Sequence, residues 1–232
     1  LWLIPNTLGA ESLHESIPQG VIECAAGLDY FLVENEKAAR AFLKRLALKT
    51  PIQELKLTAI EPGFDVLTGL QPALDVHGVG LISDAGLPCI ADPGAEVVLK
   101  AHELGIPVRP LCGPSSIFLA LMAAGLNAQE FAFCGYLPVE AAERKLRIKE
   151  LEALAARGQT QIFMETPYRS VAMFEALLEA CKPATLLSVA ANLTLNDQLI
   201  ATKSIETWRR SPVPISGKIP AIFSLGVPTA RV

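Results

Sequence analysis

The feature that most constrains the fold is an alternation: apolar runs of strand length take turns with amphipathic helical stretches from the first residue onward. Leu1 to Ile4, Tyr30 to Val33, Val79 to Ile82, Ile106 to Leu111 and Phe131 to Cys134 read as strands. Between them lie helices. In Lys37 to Leu46, Ala39, Phe42, Leu43 and Leu46 share one face, and Arg40, Lys44 and Arg45 take the other. Glu96 to Leu104 follows Asp92-Pro93-Gly94 and stops at Gly105, with Asp92 as its expected cap. Parallel strands need crossovers and helices supply them, so the pattern specifies an α/β fold with a mostly parallel sheet in the N-terminal half.

Gly135-Tyr136-Leu137-Pro138 interrupts this grammar, and the charged helix Glu143 to Ala156 follows. Two domains are expected, an N-terminal α/β domain over 1–134 and a C-terminal α/β domain over 135–232. The second half reads as strand Gln161 to Met164, helix Val171 to Ala180, then strands Thr185 to Val189, Gln198 to Thr202 and Ile219 to Leu225. Tight spacing near the end predicts antiparallel pairing and a mixed sheet.

With 232 residues, 51% hydrophobic and 19% charged, the chain can bury proper cores without staples. No apolar run reaches the roughly 18 residues of a membrane span. Leu1-Trp2-Leu3-Ile4-Pro5 lacks a basic leader, so no signal peptide and a cytoplasmic location are expected, and the missing initial Met reads as a trimmed start. Cys24, Cys89, Cys112, Cys134 and Cys181 are scattered, and buried free thiols are expected. His14, His77 and His102 are isolated, so no metal is expected. The net charge of −4 is uneven: residues 1–134 hold 8 Lys/Arg against 15 Asp/Glu, and residues 135–232 hold 12 against 9. An anionic partner should therefore approach the C-terminal half, although its charge is weak beside that of a dedicated nucleic-acid binder.

Ligands of open α/β sheets sit outside the carboxyl ends of the strands. Three such exits carry dense turn chemistry. The run Gly80-Leu81-Ile82-Ser83-Asp84-Ala85-Gly86-Leu87-Pro88-Cys89-Ile90-Ala91-Asp92-Pro93-Gly94 packs two Asp-containing turns behind one strand. Leu111-Cys112-Gly113-Pro114-Ser115-Ser116 leads into the apolar helix Ile117 to Ala124, whose N-terminal N–H groups suit a carboxylate. Leu3-Ile4-Pro5-Asn6-Thr7-Leu8-Gly9 leaves the first strand. Together they outline a small-molecule site, with Asp84, Ala85 and Gly86 as candidate cofactor contacts and Ser115 and Ser116 open between plain helix caps and ligand contacts. The first helix has no G-x-G-x-x-G and the chain no Walker lysine, which disfavours dinucleotides and nucleoside triphosphates. A ligand with a carboxylate, ribose hydroxyls and a flat base but no phosphate fits better, and S-adenosyl-L-methionine (SAM) has that description.

Leu81 to Pro88, Asp92-Pro93-Gly94, Gly113 to Ser116, Phe133-Cys134-Gly135-Tyr136-Leu137-Pro138 and Phe163-Met164-Glu165-Thr166-Pro167-Tyr168-Arg169 resemble the SAM-dependent tetrapyrrole methylase family. Within it they are most similar to the small-subunit ribosomal RNA 2'-O-ribose methyltransferase branch. The five motifs are collinear, and the likeness is densest over residues 80–194. It implies two α/β domains with SAM in the cleft between them, Leu8, Gly9, Ser83, Leu87, Gly113, Pro114, Ser115, Ser116, Met164 and Asn192 as further cofactor contacts, and a homodimer. Charged positions depart from that branch. Val33-Glu34-Asn35-Glu36-Lys37 keeps one acid of an Ala-Glu-Asp-Thr-Arg stretch, and Ala190-Ala191-Asn192-Leu193-Thr194-Leu195 replaces an Ala-Arg-Glu-Leu-Thr-Lys motif. Ser216-Gly217-Lys218 stands where the branch has Lys-Gly-Glu, and Val139-Glu140-Ala141-Ala142-Glu143 where it has a basic stretch.

The resemblance therefore implies a SAM-dependent methyltransferase, with the ribose 2'-oxygen of ribosomal RNA as favoured acceptor and RNA or the small ribosomal subunit as partner. A methyltransferase of a small molecule such as a tetrapyrrole is one alternative, and a non-catalytic SAM-binding protein is another. An alcohol acceptor benefits from proton removal, for which Glu34 and Glu165, each just past a strand end, are the candidate catalytic residues. Arg144, Lys145 and Arg169 are the candidate substrate contacts, set against the plainer reading of a solvated helix face.

Overall fold

The computed structural model describes residues 1–9, 12–75, 77–211, 215 and 219–228. It divides into two compact units, Leu1–Ser115 and Ser116–Val232. The first unit runs β1 (Trp2–Ile4), α1 (Leu13–Ser16), α2 (Gln19–Ala26), β2 (Tyr30–Val33), α3 (Glu36–Leu43), β3 (Lys56–Ala59), α4 (Val66–Leu74), β4 (Val79–Ile82), α5 (Ala95–Glu103) and β5 (Arg109–Pro110). Its strands form a parallel sheet in the order β3-β2-β4-β1-β5.

Both faces of this sheet are covered, which is why its central strands β1, β2 and β4 read as unbroken apolar runs rather than alternating ones. Phe31, Val33 and Ile82 pack on one side with Val21 and Ile22 of α2 and Phe42 and Leu43 of α3. Leu32 and Leu81, one residue out of phase, pack on the other with Leu70 of α4 and Val97 and Ala101 of α5. Strand β5 is much shorter than the expected run Ile106 to Leu111. Arg109 N and Leu111 N donate towards the first strand, at 2.8 Å to Leu1 O and 3.0 Å to Leu3 O, while Pro107 has no N–H to extend this ladder and Pro110 is tolerated because β5 sits at the sheet's edge.

The second unit contains α6 (Ser116–Ala124), β6 (Phe131–Tyr136), α7 (Ala141–Ala155), β7 (Thr160–Glu165), α8 (Ser170–Ala180), β8 (Leu186–Ala191), β9 (Leu199–Ser204), α9 (Ile205–Arg210) and β10 (Ala221–Gly226). Its sheet has the order β6-β7-β10-β8-β9 and is mixed: β6 and β7 are parallel, whereas β7-β10, β10-β8 and β8-β9 are antiparallel. Helix α6 lies against one face, where Ile117, Ala120 and Leu121 meet Ile162, Ala190 and Ile222. Helices α7, α8 and α9 cover the other around Phe163, Phe174, Trp208 and Phe223.

These contacts correct the expected boundary at 134/135, which would cut through β6. Strand β6 is laddered to β7 and α6 packs on the second sheet, so the chain divides at Ser115/Ser116 instead. The thiols need a correction too: only Cys181 is buried, Cys112 is exposed and the others are intermediate. Among the described residues no helix is long and apolar enough to cross a membrane, and no group of three or more His, Cys, Asp or Glu is placed to hold a metal.

The side chain that knits the second core is Trp208. It is 1% exposed, meets Phe174 edge-on at 5.5 Å, and its Nε1 donates to Leu187 O at 2.8 Å. Trp208→Ala should therefore lower stability by about 3–5 kcal/mol, read as a fall in the urea midpoint; a change below about 1 kcal/mol would contradict this packing.

Candidate functional site

The register of the first sheet decides which loops meet. Ile4, Val33 and Ile82 end β1, β2 and β4 level with one another, because Ile82 pairs with both neighbours. Three chains thus leave the sheet side by side, with the β4 exit in the middle. Glu34 extends the ladder by one step, its N–H donating to Ile82 O at 3.2 Å. Its carboxylate then accepts the Asp84 N–H at Oε2, 3.0 Å away.

From the other flank Asn6, only 5% exposed, closes on the same loop. Its Nδ2 donates to Ser83 O at 3.2 Å and to Asp84 O at 2.9 Å, while its Oδ1 accepts the Thr7 N–H at 2.8 Å. Its backbone forms a two-way bridge with Gly86, with N–O distances of 2.8 and 3.2 Å. Gly86 has φ +70°, and a Cβ there would stand 3.1 Å from Leu8 Cδ2 and 3.6 Å from Pro114 O, so the exits of β1, β4 and β5 touch at this residue. At Gly113 the approach is tighter still: a Cβ would fall 2.1 Å from Pro5 Cβ.

The predicted residues of the first unit, Leu8, Gly9, Ser83 to Leu87 and Gly113 to Ser115, all lie on these three exits. Ser115 is buried, and Ser116 is the first residue of α6. Cys89 at φ 69° and Ala91 at φ 64° hold left-handed backbone without being glycine, a strained geometry of the kind that collects at functional sites.

The site is acidic. Burial, then the Glu34 carboxylate, raises the Asp84 pKa above its ordinary value. Asp92 is pushed up to about 6 by burial and by the negative charges of Glu34 and Asp84, with a Ser83 hydrogen bond opposing the rise. Asp92 does not cap α5. Gly94, at φ 124°, takes the N-cap place, which leaves the Asp92 carboxyl two residues upstream and among the other acids. The loops at 5–9, 83–94 and 111–115 contain no Lys or Arg. Arg45 reaches the β1 exit by donating from Nη1 to Thr7 Oγ1 at 3.2 Å.

In the second unit the candidates are engaged. Glu165 is 2% exposed, its Oε2 pairs with Arg169 Nη2 at 2.7 Å, and its Oε1 accepts the Thr166 N–H at 2.8 Å. Arg169 also donates to Leu137 O at 3.1 Å, tying the β7 exit to the turn after β6. Arg144 donates to Val139 O at 2.7 Å, and Lys145 pairs with the exposed Glu179 at 2.5 Å. Met164 lies within β7 opposite Ile222. Asn192, at φ 49° just past β8, donates from Nδ2 to Asp197 Oδ2 at 2.8 Å. The Ser216-Gly217-Lys218 position lies outside the described residues.

Asn6 is the residue that sequence reasoning missed. Its signal was faint, a polar side chain one step beyond an apolar strand and a proline, and its importance appears only once β1 and β4 are known to be neighbours.

Because its folded pKa is raised, Asp92 holds its proton more tightly in the folded than in the unfolded chain between about pH 4 and 6. Its contribution is therefore unfavourable above about pH 6 and vanishes below about pH 4. Asp92→Asn should melt at a higher temperature than the parent at neutral pH, and the gap should close as the pH falls through that window. A gap independent of pH would contradict the burial and charge crowding described here.

The family model for Tetrapyrrole (Corrin/Porphyrin) Methylases matches residues 16–208. Among curated proteins, the chain is 34% identical over 195 residues to "Ribosomal RNA small subunit methyltransferase I" of Mesorhizobium japonicum, covering 84% of this chain and 63% of that protein. The protein of the same name from Vibrio cholerae is 28% identical over 213 residues, 92% of this chain and 68% of the relative. That of Bacillus subtilis is 32% identical over 180 residues, 77% and 59%. The matched parts thus span between 59% and 68% of these relatives' lengths. In fold the chain is similar to the methyltransferase CobJ, with a TM-score of 0.60 at 19% identity over 95% of this chain and 92% of that one. The cobalt precorrin-4 methyltransferase CbiF gives 0.60 at 16% identity over 97% and 93%. With a parallel sheet whose glycine-bearing exits converge, a mixed second sheet, and a family model that spans most of both, the chain belongs to the tetrapyrrole (corrin/porphyrin) methylase family.

Proposed function

We propose that the protein is a SAM-dependent methyltransferase acting in the cytoplasm on RNA, with the ribose 2'-oxygen of small-subunit ribosomal RNA as its acceptor. The observation that carries the cofactor assignment is the convergence of three lysine- and arginine-free exits on Gly86, beside Glu34, Asp84 and Asp92. Backbone amides and carboxylates suit a nucleoside that carries a cation, and three acids repel a phosphate. The acceptor assignment rests on the relatives' name, "Ribosomal RNA small subunit methyltransferase I".

When bound, SAM supplies a methyl group activated by a positively charged sulfur. Asp84, exposed on the central exit, accepts hydrogen bonds from ribose hydroxyls or the amino group. Leu8, Gly86 and Pro114 set how closely a ligand approaches the backbone, and Met164 and Asn192 are proposed as further cofactor contacts. Glu34 receives the acceptor's proton, because its second oxygen, Oε1, remains in addition to the one that holds the loop. Glu165 is the weaker base candidate, since Arg169 and the Thr166 N–H occupy both of its oxygens. For phosphate contact we favour Lys145, whose pair with Glu179 is exposed and therefore cheap to exchange, together with Arg144 and Arg169. The functional form is proposed to be a homodimer.

Incubation with methyl-labelled SAM and either small ribosomal subunits or total small metabolites tests the assignment. Label in the RNA is expected. Label in the metabolites would favour a tetrapyrrole-type acceptor, and binding without transfer would favour a non-catalytic protein. Glu34→Gln keeps an acceptor for the Asp84 N–H while removing the base, so kcat measured at saturating SAM should fall by roughly a hundredfold or more. An unchanged kcat would remove Glu34 from the chemistry.

A further inference from the structure

The peptide groups around Asp84 are gripped from both flanks of the sheet by side chains that belong to neighbouring strand exits. Glu34 takes the N–H of Asp84, and Asn6 takes the C=O of both Ser83 and Asp84. The two grips differ in kind. A carboxylate accepts one hydrogen bond at the Asp84 N–H, whereas the Asn6 amide both donates and accepts, since its Oδ1 is filled by the Thr7 N–H. A neutral amide is also the side chain of that size that brings two donors without adding a charge. This matters because the groups facing the position are Glu34 on the β2 exit, Asp84 and Asp92 on the β4 exit, and Arg45, which reaches the β1 exit at Thr7. A fourth carboxylate here would be repelled by the first three and would leave the buried Ser83 carbonyl and the partly buried Asp84 carbonyl without these donors.

We infer that Asn6 is a positioning residue for cofactor binding: through Ser83 O, Asp84 O and the bridge to Gly86 it fixes the β4 exit in the shape that receives the nucleoside. This rests on the SAM-binding reading above. It goes beyond it by assigning the loop's geometry to a residue that need not touch the ligand. In this arrangement Asn6 aligns the Asp84 carboxylate and the Gly86 backbone before the ligand arrives, so the ligand does not bear the cost of ordering them. Its contribution should appear in affinity, and the chemical step of already bound cofactor should be largely spared.

The test uses the intact protein and calorimetric titration with SAM at a temperature where every variant is folded by circular dichroism. Asn6→Ala should weaken SAM binding by roughly tenfold or more, from the two hydrogen bonds lost to the β4 exit, and leave kcat at saturating SAM within about threefold of the parent. Asn6→Asp, nearly the same shape, keeps the acceptor for Thr7 N–H but donates only when protonated. Its deficit relative to the parent should be large at about pH 8 and shrink toward about pH 6. A side chain that merely stabilises the fold would lower the melting temperature of both variants without moving affinity or giving that pH dependence. Parent-like affinity in Asn6→Asp across the pH range would overturn the inference while leaving the SAM reading intact. If the parent itself failed to bind SAM, the reading and the inference would fall together. Should Asn6→Ala not fold, the pH series of the isosteric variant decides the matter alone.

Discussion

The peptide groups on either side of Asp84 are held by one carboxylate and one amide that arrive from opposite directions, and much of the candidate site follows from that grip. It exists because β4 is the central strand of the trio β2-β4-β1, and because Ile82 is level with both Val33 and Ile4. Slipping either neighbour by one residue would reverse which side chains point at the loop and move Asn6 or Glu34 to the wrong face. The apolar packing on both faces of the sheet fixes the register, so the cores made by Phe31, Val33 and Ile82 and by Leu32 and Leu81 act at a distance on the site. Folding and ligand recognition are here the same geometric problem.

The electrostatics of the two units complement this. Near the strand exits of the first, Glu34, Asp84 and Asp92 crowd until burial and mutual repulsion raise the Asp84 and Asp92 pKa values. On the proposed reading, such a cluster would hold a cationic nucleoside more strongly than its neutral product and so would favour release after the methyl group has left. In the second unit, Arg144, Lys145 and Arg169 already hold oxygen partners of the protein. An RNA phosphate would have to compete for each, with the exposed Lys145–Glu179 pair the cheapest to exchange and the Arg169–Glu165 pair, half sheltered at the β7 exit, the most expensive.

Much of this was legible in the sequence. Strands β2 and β4 begin and end where their apolar runs do, and the turn residues at 83–94 and 111–116 mark the exits. The edge strand β3 was not visible: Lys56-Leu57-Thr58-Ala59 alternates between exposed and half-buried positions, so it lacks the apolar density of the central strands. Helix α4 was equally hidden, because Gly69 and Pro72 break its helical signature. The domain boundary was misplaced because Gly135 and Pro138 look like a linker, whereas the division falls where α6 begins to pack on the second sheet. Local composition marks breaks in the chain, but it does not say which sheet a helix will cover. Asn6 escaped notice for a related reason: its partners lie 77 and 78 residues away, and only strand order brings them together.

The most direct test of the central claim, that these strand exits receive the nucleoside, is residue-resolved amide hydrogen exchange with and without S-adenosylhomocysteine. Slowed exchange at Asp84, Ala85 and Gly86 and at Gly113 and Ser115, with the helices behind the sheet unaffected, is the predicted pattern. Tight binding that leaves those amides unchanged and protects a different part of the chain would contradict the account.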